Sequence, residues 1–124
     1  MREAERLTLI ESLRTERLSP VAEAEAYDRL LGLNMSQREI ATAVYRSAPS
    51  VSYALRLLVL PEDVQELIDA GRLTARHGRA LYRFVEWPDT VRRLARRVVA
   101  EGWSCARLER VRPAVYELTK GREE

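Results

Sequence analysis

Residues Gln37 to Arg56, QREIATAVYRSAPSVSYALR, constrain the fold of this chain more than any other stretch. Ile40, Ala41 and Val44 recur at i, i+1, i+4, so they make one face of a short helix. Val51, Ala54, Leu55 and Leu58 repeat the pattern at i, i+3, i+4, i+7 on a second helix. Between them stands the short polar connection Tyr45-Arg46-Ser47. Ala41 is small enough to let the second helix approach closely, Ser47 suits an N-cap, and Pro49 falls in the first turn, where no intrahelical N–H is lost. The segment from about 36 to 58 therefore reads as a helix-turn-helix whose seven apolar residues are buried together. In the DNA-binding version of this unit the second helix enters the major groove. An ordinary αα-hairpin has the same spacing, so the pattern alone leaves both open. Tyr45 occupies a turn position usually held by glycine; a left-handed backbone there costs about 1–2 kcal/mol, or the turn relaxes.

The remaining sequence reads as further helices without a repeat, a low-complexity linker or an internal boundary, which makes 1–124 a single all-α, multi-helix bundle. A first helix spans about 2–17, with Leu7, Ile10 and Leu13 at helical spacing. Ser19 and Pro20 open a second that runs to Leu31, and Gly32 and Asn34 break it. Ser36 and Glu39 form a capping box before the helix-turn-helix. Pro61 opens a helix that stops at Gly71, and Thr74 caps one that reaches Val85. After Trp87-Pro88-Asp89 another helix runs to Ala100, Gly102 ends it, Ser104 caps a short helix, and Pro113 bounds a final turn or helix.

The net charge of +2 says little, but its distribution is uneven. Residues 1–70 carry 8 arginines against 12 carboxylates, whereas 71–113 carry 11 arginines against 4. A basic block of this kind, about 72–113, is the footprint of a surface facing an anionic polymer. Lys120 is the only lysine, and arginine's planar fork suits phosphate oxygens and guanine edges. Arg76, Arg79 and Arg83 stand at i, i+3, i+7 on one helical face; Arg92, Arg93, Arg96 and Arg97 oppose an apolar row and read equally well as a solvated face. The single Cys105 excludes an internal disulfide and, with no membrane-length apolar run or signal pattern, fits a cytoplasmic protein. His77 is the only histidine and no carboxylate cluster has ligand spacing, so metal and catalytic roles are not expected. Cys105 reads as a small buried apolar side chain.

An ordered series of short matches gives the chain a family. Glu11, Leu18, Pro20, Glu23, Ala24 and Tyr27 are followed by Ser36-Gln37 and Glu39-Ile40-Ala41. Ala54-Leu55-Arg56-Leu57-Leu58, Leu60-Pro61, and His77, Arg79, Ala80 and Leu81 continue the series. This resembles the central DNA-binding domain of the ParB/KorB/Noc partition proteins, gaplessly from about Leu9 to Leu81, with a weaker echo to Val111. The resemblance implies sequence-specific double-stranded DNA binding, in plasmid or chromosome partition or in related repression. It also implies an inverted-repeat site, a homodimer on DNA, and a partition ATPase as partner in a complete system. It sets His77 as a packing or hydrogen-bonding residue at a helix start, and lays the segment of Arg76, Arg79 and Arg83 against DNA beside the recognition helix.

On that reading the outward positions of the motif are Ser47, Ala48, Pro49, Ser50, Ser52, Tyr53 and Arg56, with Gln37 and Arg46 at its edges. Only Tyr53 and Arg56 on the recognition helix have reach, so base discrimination there is modest, and Arg76, Arg79 and Arg83 supply contacts from outside it. Proteins of this family also bind and hydrolyse CTP. The segment Glu11-Ser12-Leu13-Arg14-Thr15 keeps the family's glutamate but replaces its asparagine and arginine, and neither the upstream nucleotide domain nor the C-terminal dimerisation domain has a counterpart in these residues. No cofactor and no catalytic residue is expected. The alternative is an α-helical protein-interaction module that keeps the scaffold but has lost base readout, as Tyr45, Ala48 and Pro49 would allow.

Overall fold

A computed structural model describes residues 2–113, and among them every regular element is helical. The elements are α1 (Arg2–Thr15), α2 (Pro20–Gly32), α3 (Gln37–Ala43), α4 (Ala48–Arg56), α5 (Glu62–Asp69), α6 (Ala75–Tyr82), α7 (Pro88–Glu101) and α8 (Cys105–Glu109), with a 3₁₀ turn over Leu57–Val59. Contacts divide the chain into two compact units, one ending at Val59 and the other beginning at Leu60. No composition shift marks this division, because Leu57 to Pro61 is an apolar run.

The first unit is built around α2. Ser19 accepts the Ala22 N–H (3.2 Å), Pro20 opens the helix, and Val21, Ala24, Tyr27 and Leu30 form its buried stripe. Tyr27, Leu30, Leu33, Ile40, Ala41, Val44 and Val51 make one core, against which Leu9, Ile10, Leu13, Ala54 and Leu55 pack half-buried. Full burial of Ile40 alone removes enough apolar surface to stabilise the unit by about 1.5–3 kcal/mol. The buried Tyr27 hydroxyl donates to the Glu23 carboxylate (2.5 Å); burial first, and that carboxylate second, push the phenol well above its usual range.

Two expectations need correction here. Leu58 is not part of this core, and its neighbour Leu57 is the buried residue. The α-helix ends at Arg56 and tightens into a 3₁₀ turn packed against α2, so the 3.6-residue phase that selected Leu58 no longer applies. Ala54 and Leu55 pack against the core but are only half-buried.

Helix α1 stops at Thr15 and buries no residue fully; Leu7 is 62% exposed. Leu9, Ile10 and Leu13 pack half-buried on the core, and polar contacts add to their hold. Arg6 donates from Nε (2.8 Å) and Nη2 to the Leu33 carbonyl, Arg14 Nε donates to Ala43 O (2.7 Å), and Glu5 accepts from Arg29 Nε (2.7 Å).

In the second unit, Val64 and Ile68 of α5, Ala80 and Leu81 of α6, Val91, Leu94, Ala95 and Val98 of α7, and Leu108 of α8 are buried with Leu60, Leu73, Phe84 and Trp103. Helix α6 ends at Tyr82, three residues short of the expected Val85, because turns at Phe84 and Val85 close onto Leu81 and Tyr82. Asp63 of α5 and Asp89 both pair with Arg92 of α7 (3.3 and 3.1 Å). Arg97 pairs with Glu101 and lies over the Trp103 ring, as does Arg107. Cys105 is half-buried rather than buried. The element expected after Pro113 lies outside the described residues.

Candidate nucleic-acid interface

The helix-turn-helix is set by its caps. Ser36 Oγ accepts the Glu39 N–H (3.0 Å) and the Glu39 carboxylate accepts the Ser36 N–H (3.0 Å), closing a capping box at the start of α3. The Ser36 backbone N–H first, and its side chain second, hold the Glu39 carboxyl below its ordinary range. At the other end, Arg46 N–H reaches back to Ala41 O (2.9 Å) and Tyr45 N–H to Thr42 O (3.4 Å), with Tyr45 at φ 60°. This is a Schellman closure, whose left-handed position favours glycine. The same closure ends α2 at Asn34 (φ 70°) and α5 at Gly71 (φ 77°), and α7 ends on a left-handed Gly102 (φ 67°) with the Gly102 and Trp103 N–H groups both on Val98 O. Tyr45 is therefore a left-handed residue of the kind the sequence raised, and the turn has not relaxed. The residue is 79% exposed, and its ring lies under the Arg14 guanidinium (4.8 Å), the same group that grips Ala43 O.

The second cap starts α4. Ser47 Oγ accepts the Ser50 N–H (3.2 Å) and shares a hydrogen bond with Ser50 Oγ (2.7 Å). Pro49 sits in the first turn. Ser47, Pro49, Ser50 and Arg56 are exposed and Ser52 and Tyr53 half-exposed, whereas Ala48, expected to face outward, is half-buried and packs against the core three residues before Val51. The Arg56 guanidinium lies over the Tyr53 ring (5.2 Å). Gln37, at the first position of α3, and Arg46, in the turn, are exposed. Arg46 also lines a polar cleft of about 360 Å³ with Arg14, Arg17, Glu16 and Glu23.

In the second unit, α6 starts on a capping box that the usual Ser/Thr-x-x-Glu pattern does not cover. Thr74 Oγ1 accepts the His77 N–H (3.1 Å), and His77 Nδ1 accepts the Thr74 N–H (3.2 Å). With Nδ1 accepting, the proton stands on Nε2, which donates to Trp103 O (2.9 Å). His77 is thus the hydrogen-bonding residue at a helix start that the resemblance implies, and it ties α6 to the chain entering α8.

Arg76, Arg79 and Arg83 are all exposed, but Arg83 lies beyond the end of α6 and its fork turns back onto backbone carbonyls. Its Nε donates to Ala80 O (3.0 Å), Nη1 to Val111 O (2.9 Å) and Nη2 to Leu108 O (2.9 Å). Those carbonyls belong to the ends of α6 and α8, and burial lowers the pKa of the guanidinium. Arg76 makes a two-bond fork with Glu109 (Nε–Oε2 2.9 Å, Nη2–Oε1 2.8 Å), which raises the arginine and lowers the carboxyl in pKa. Glu109 did not stand out in the sequence, and Arg14 did so only for its helical spacing, not for a contact with the turn. Each acts on a residue about thirty positions away, and no local spacing reports such a pairing.

Three comparisons bear on this arrangement. Residues 16–116 match the family model of the ParB HTH domain. The chain is 46% identical over 80 residues to the chromosome-partitioning protein Spo0J of Thermus thermophilus, covering 64% of this chain and 30% of that protein. It is 39% identical over 106 residues to the stage 0 sporulation protein J of Bacillus subtilis, covering 85% and 37%. The chain thus spans about a third of the length of these relatives. Among solved structures, a C-terminally truncated ParB from Caulobacter crescentus, complexed to the centromeric parS site, superposes with a TM-score of 0.77 at 30% identity, over 84% of this chain and 54% of that one. A ParB DNA-binding domain complexed to parS gives a TM-score of 0.74 at 30% identity, over 84% and 72%. With its helix-turn-helix closed at Ser36, Tyr45 and Ser47 and its residues matched from 16 to 116, the chain belongs to the ParB HTH domain family.

Proposed function

We propose that this chain is a sequence-specific double-stranded DNA-binding module of a partition system, acting by positioning and not by catalysis. The observation that carries the reading is the capped α4, which turns Ser47, Pro49, Ser50 and Arg56 outward beside a strained, fixed turn in a family whose solved relatives were captured on parS. Helix α4 supplies base-edge contacts within the major groove: Arg56 and Tyr53 have reach, Ala48 and Pro49 meet thymine methyls or sugars, and the serine hydroxyls take short contacts. Gln37 and Arg46 hold the backbone beside it, and Arg76 and Arg79 add phosphate or guanine contacts. Arg83 serves by holding α8 rather than by reaching outward. The site is an inverted repeat that takes two copies. A partition ATPase is the partner in a complete system, and the compartment is the cytoplasm, on the nucleoid or a plasmid. Among the described residues no helix is long and apolar enough to cross a membrane.

Enrichment of bound duplexes from a random pool tests this reading. A recurrent inverted repeat supports it; capture of no preferred sequence, with binding independent of salt, overturns it. On the enriched duplex, Arg79→Ala flattens the slope of log affinity against log salt by about one unit if Arg79 meets phosphate. It costs about 1–3 kcal/mol at one base-pair position if Arg79 reads guanine. A single copy on a half-site, gripping with few arginines and short side chains, binds at about micromolar strength at physiological salt. Sedimentation with half-site and full-site duplexes measures this, and nanomolar half-site binding would refute it.

A further inference from the structure

We propose that Glu109 is an internal competitor for the DNA backbone, holding the Arg76 fork until a phosphate displaces it. The inference rests on the DNA-binding reading above and concerns the control of that surface. Arg76 grips Glu109 through Nε and Nη2, with its two bonds divided over both carboxylate oxygens. A guanidinium takes two oxygens of a phosphodiester in this same side-on manner, so the carboxylate stands where a phosphate would.

The carboxylate is placed there by a scaffold. Arg83 holds the carbonyls of Leu108 and Val111, on either side of Glu109. His77 holds Trp103 O, and Thr74 Oγ1 lies 3.4 Å from Cys105 Sγ, which fixes the other end of α8 against α6. Glu109 also lies within the electrostatic reach of Arg79 and Arg83, and its negative charge is felt by the whole arginine row of α6. Both members of the pair remain open to water, with side-chain exposures of 60% for Arg76 and 40% for Glu109. An exposed pair is weak and salt-screened, so a line of phosphates can exchange with it. The result is a basic surface partly neutralised in the free protein, which restrains binding to DNA of any sequence.

Fluorescence anisotropy with a random-sequence duplex and with the enriched duplex, across a salt series, tests the proposal. Glu109→Gln keeps the shape and removes the charge. It should tighten binding to both duplexes about two- to fivefold at low salt, the factor an exposed ion pair is worth. The salt slope should steepen by up to about one unit. In an Arg76→Gln background the same change should have no effect, while thermal midpoints stay within the range of other surface variants. Unchanged or weaker binding by Glu109→Gln would overturn the proposal. So would a loss confined to one base-pair position, which would make Glu109 an orienting residue for base reading, or a gain that persists without Arg76. These outcomes all presuppose duplex binding by the unaltered chain; its absence at low salt would instead overturn the DNA-binding reading, and this proposal with it.

Discussion

Replacing Tyr45 separates backbone strain from side-chain contact at the turn of the helix-turn-helix. The residue sits at φ 60°, in a left-handed position that glycine or asparagine occupies at the ends of α2, α5 and α7. A left-handed backbone costs an L-residue about 1–2 kcal/mol. Tyr45→Gly removes that cost but gives the unfolded chain more freedom, which takes back about 0.4–1 kcal/mol. It also loses the Arg14 contact over the ring, worth about 0.5–1 kcal/mol at an exposed site. The three terms nearly cancel, so Tyr45→Gly alone is close to neutral. Tyr45→Ala loses the ring and keeps the strain. Because both variants lack the ring, the Gly-minus-Ala difference isolates the backbone: glycine should be the more stable by about 0.5–1 kcal/mol. For a domain of this size that is a few degrees in thermal midpoint. Urea melts and thermal melts of the two variants measure it. Alanine equal to or more stable than glycine would refute the reasoning, since the turn would then not hold a left-handed residue at this position.

Other substitutions test the packing and the clasps. Leu57→Ala should destabilise by about 2–5 kcal/mol and Leu58→Ala by clearly less, read by chemical denaturation; the reverse order would restore the uninterrupted helix. Ala41→Leu should cost about 1–3 kcal/mol through overpacking between α3 and α4. Arg83→Ala should lower the thermal midpoint by an amount equivalent to about 1–2 kcal/mol, as α8 loses its carbonyl clasp. An Arg83→Ala protein of unaltered stability that binds DNA more weakly would instead put this residue on the DNA. For pH, the Glu39 carboxyl is lowered from 4.5 by the Ser36 backbone N–H first and its side chain second. Its contribution to stability is therefore fully present above that value and is lost as pH falls through the lowered one. Glu39→Gln, which keeps a capping side chain but not its charge, should lower the neutral plateau and lessen the acid-side fall in thermal midpoint by the same amount.

Local features of the fold were legible in the sequence because their causes are local. Ser36 with Glu39, Ser47 with Pro49, and Ser19 with Pro20 each announce a helix start within four residues, and each stands where it was read. The inward row Ile40, Ala41, Val44 and Val51 follows from helical phase alone. Legibility failed where the phase changed, as at Leu57, and where a side chain turned back on the fold. Arg83 keeps helical register with Arg76 and Arg79 in the sequence, yet the helix stops at Tyr82 and the guanidinium finds carbonyls that only the tertiary fold brings near. Helix α1 shows the opposite case. Its Leu7, Ile10 and Leu13 have the spacing of a core helix, but Leu7 is exposed and Ile10 and Leu13 pack only half-buried on the edge of the core. Most of the outer face of α4 was read directly from the motif, whereas Arg14 on its turn and, in the second unit, Glu109 on Arg76 had no local signature.

The way α1 is attached has a kinetic consequence. Its three tethers are guanidinium contacts to Leu33 O, Ala43 O and Glu5, and none of its side chains is fully buried. Detaching it uncovers only half-buried apolar side chains, Leu9, Ile10 and Leu13, so its amides should exchange with solvent through local openings, while those of Ile40 and Val51 exchange only when the whole unit opens. Each such opening withdraws Arg14 from both the last carbonyl of α3 and the ring of Tyr45. The turn that aims α4 is thereby loosened and reset at the frequency with which α1 comes away, and amide protection in residues 2–15 becomes a clock for the helix-turn-helix.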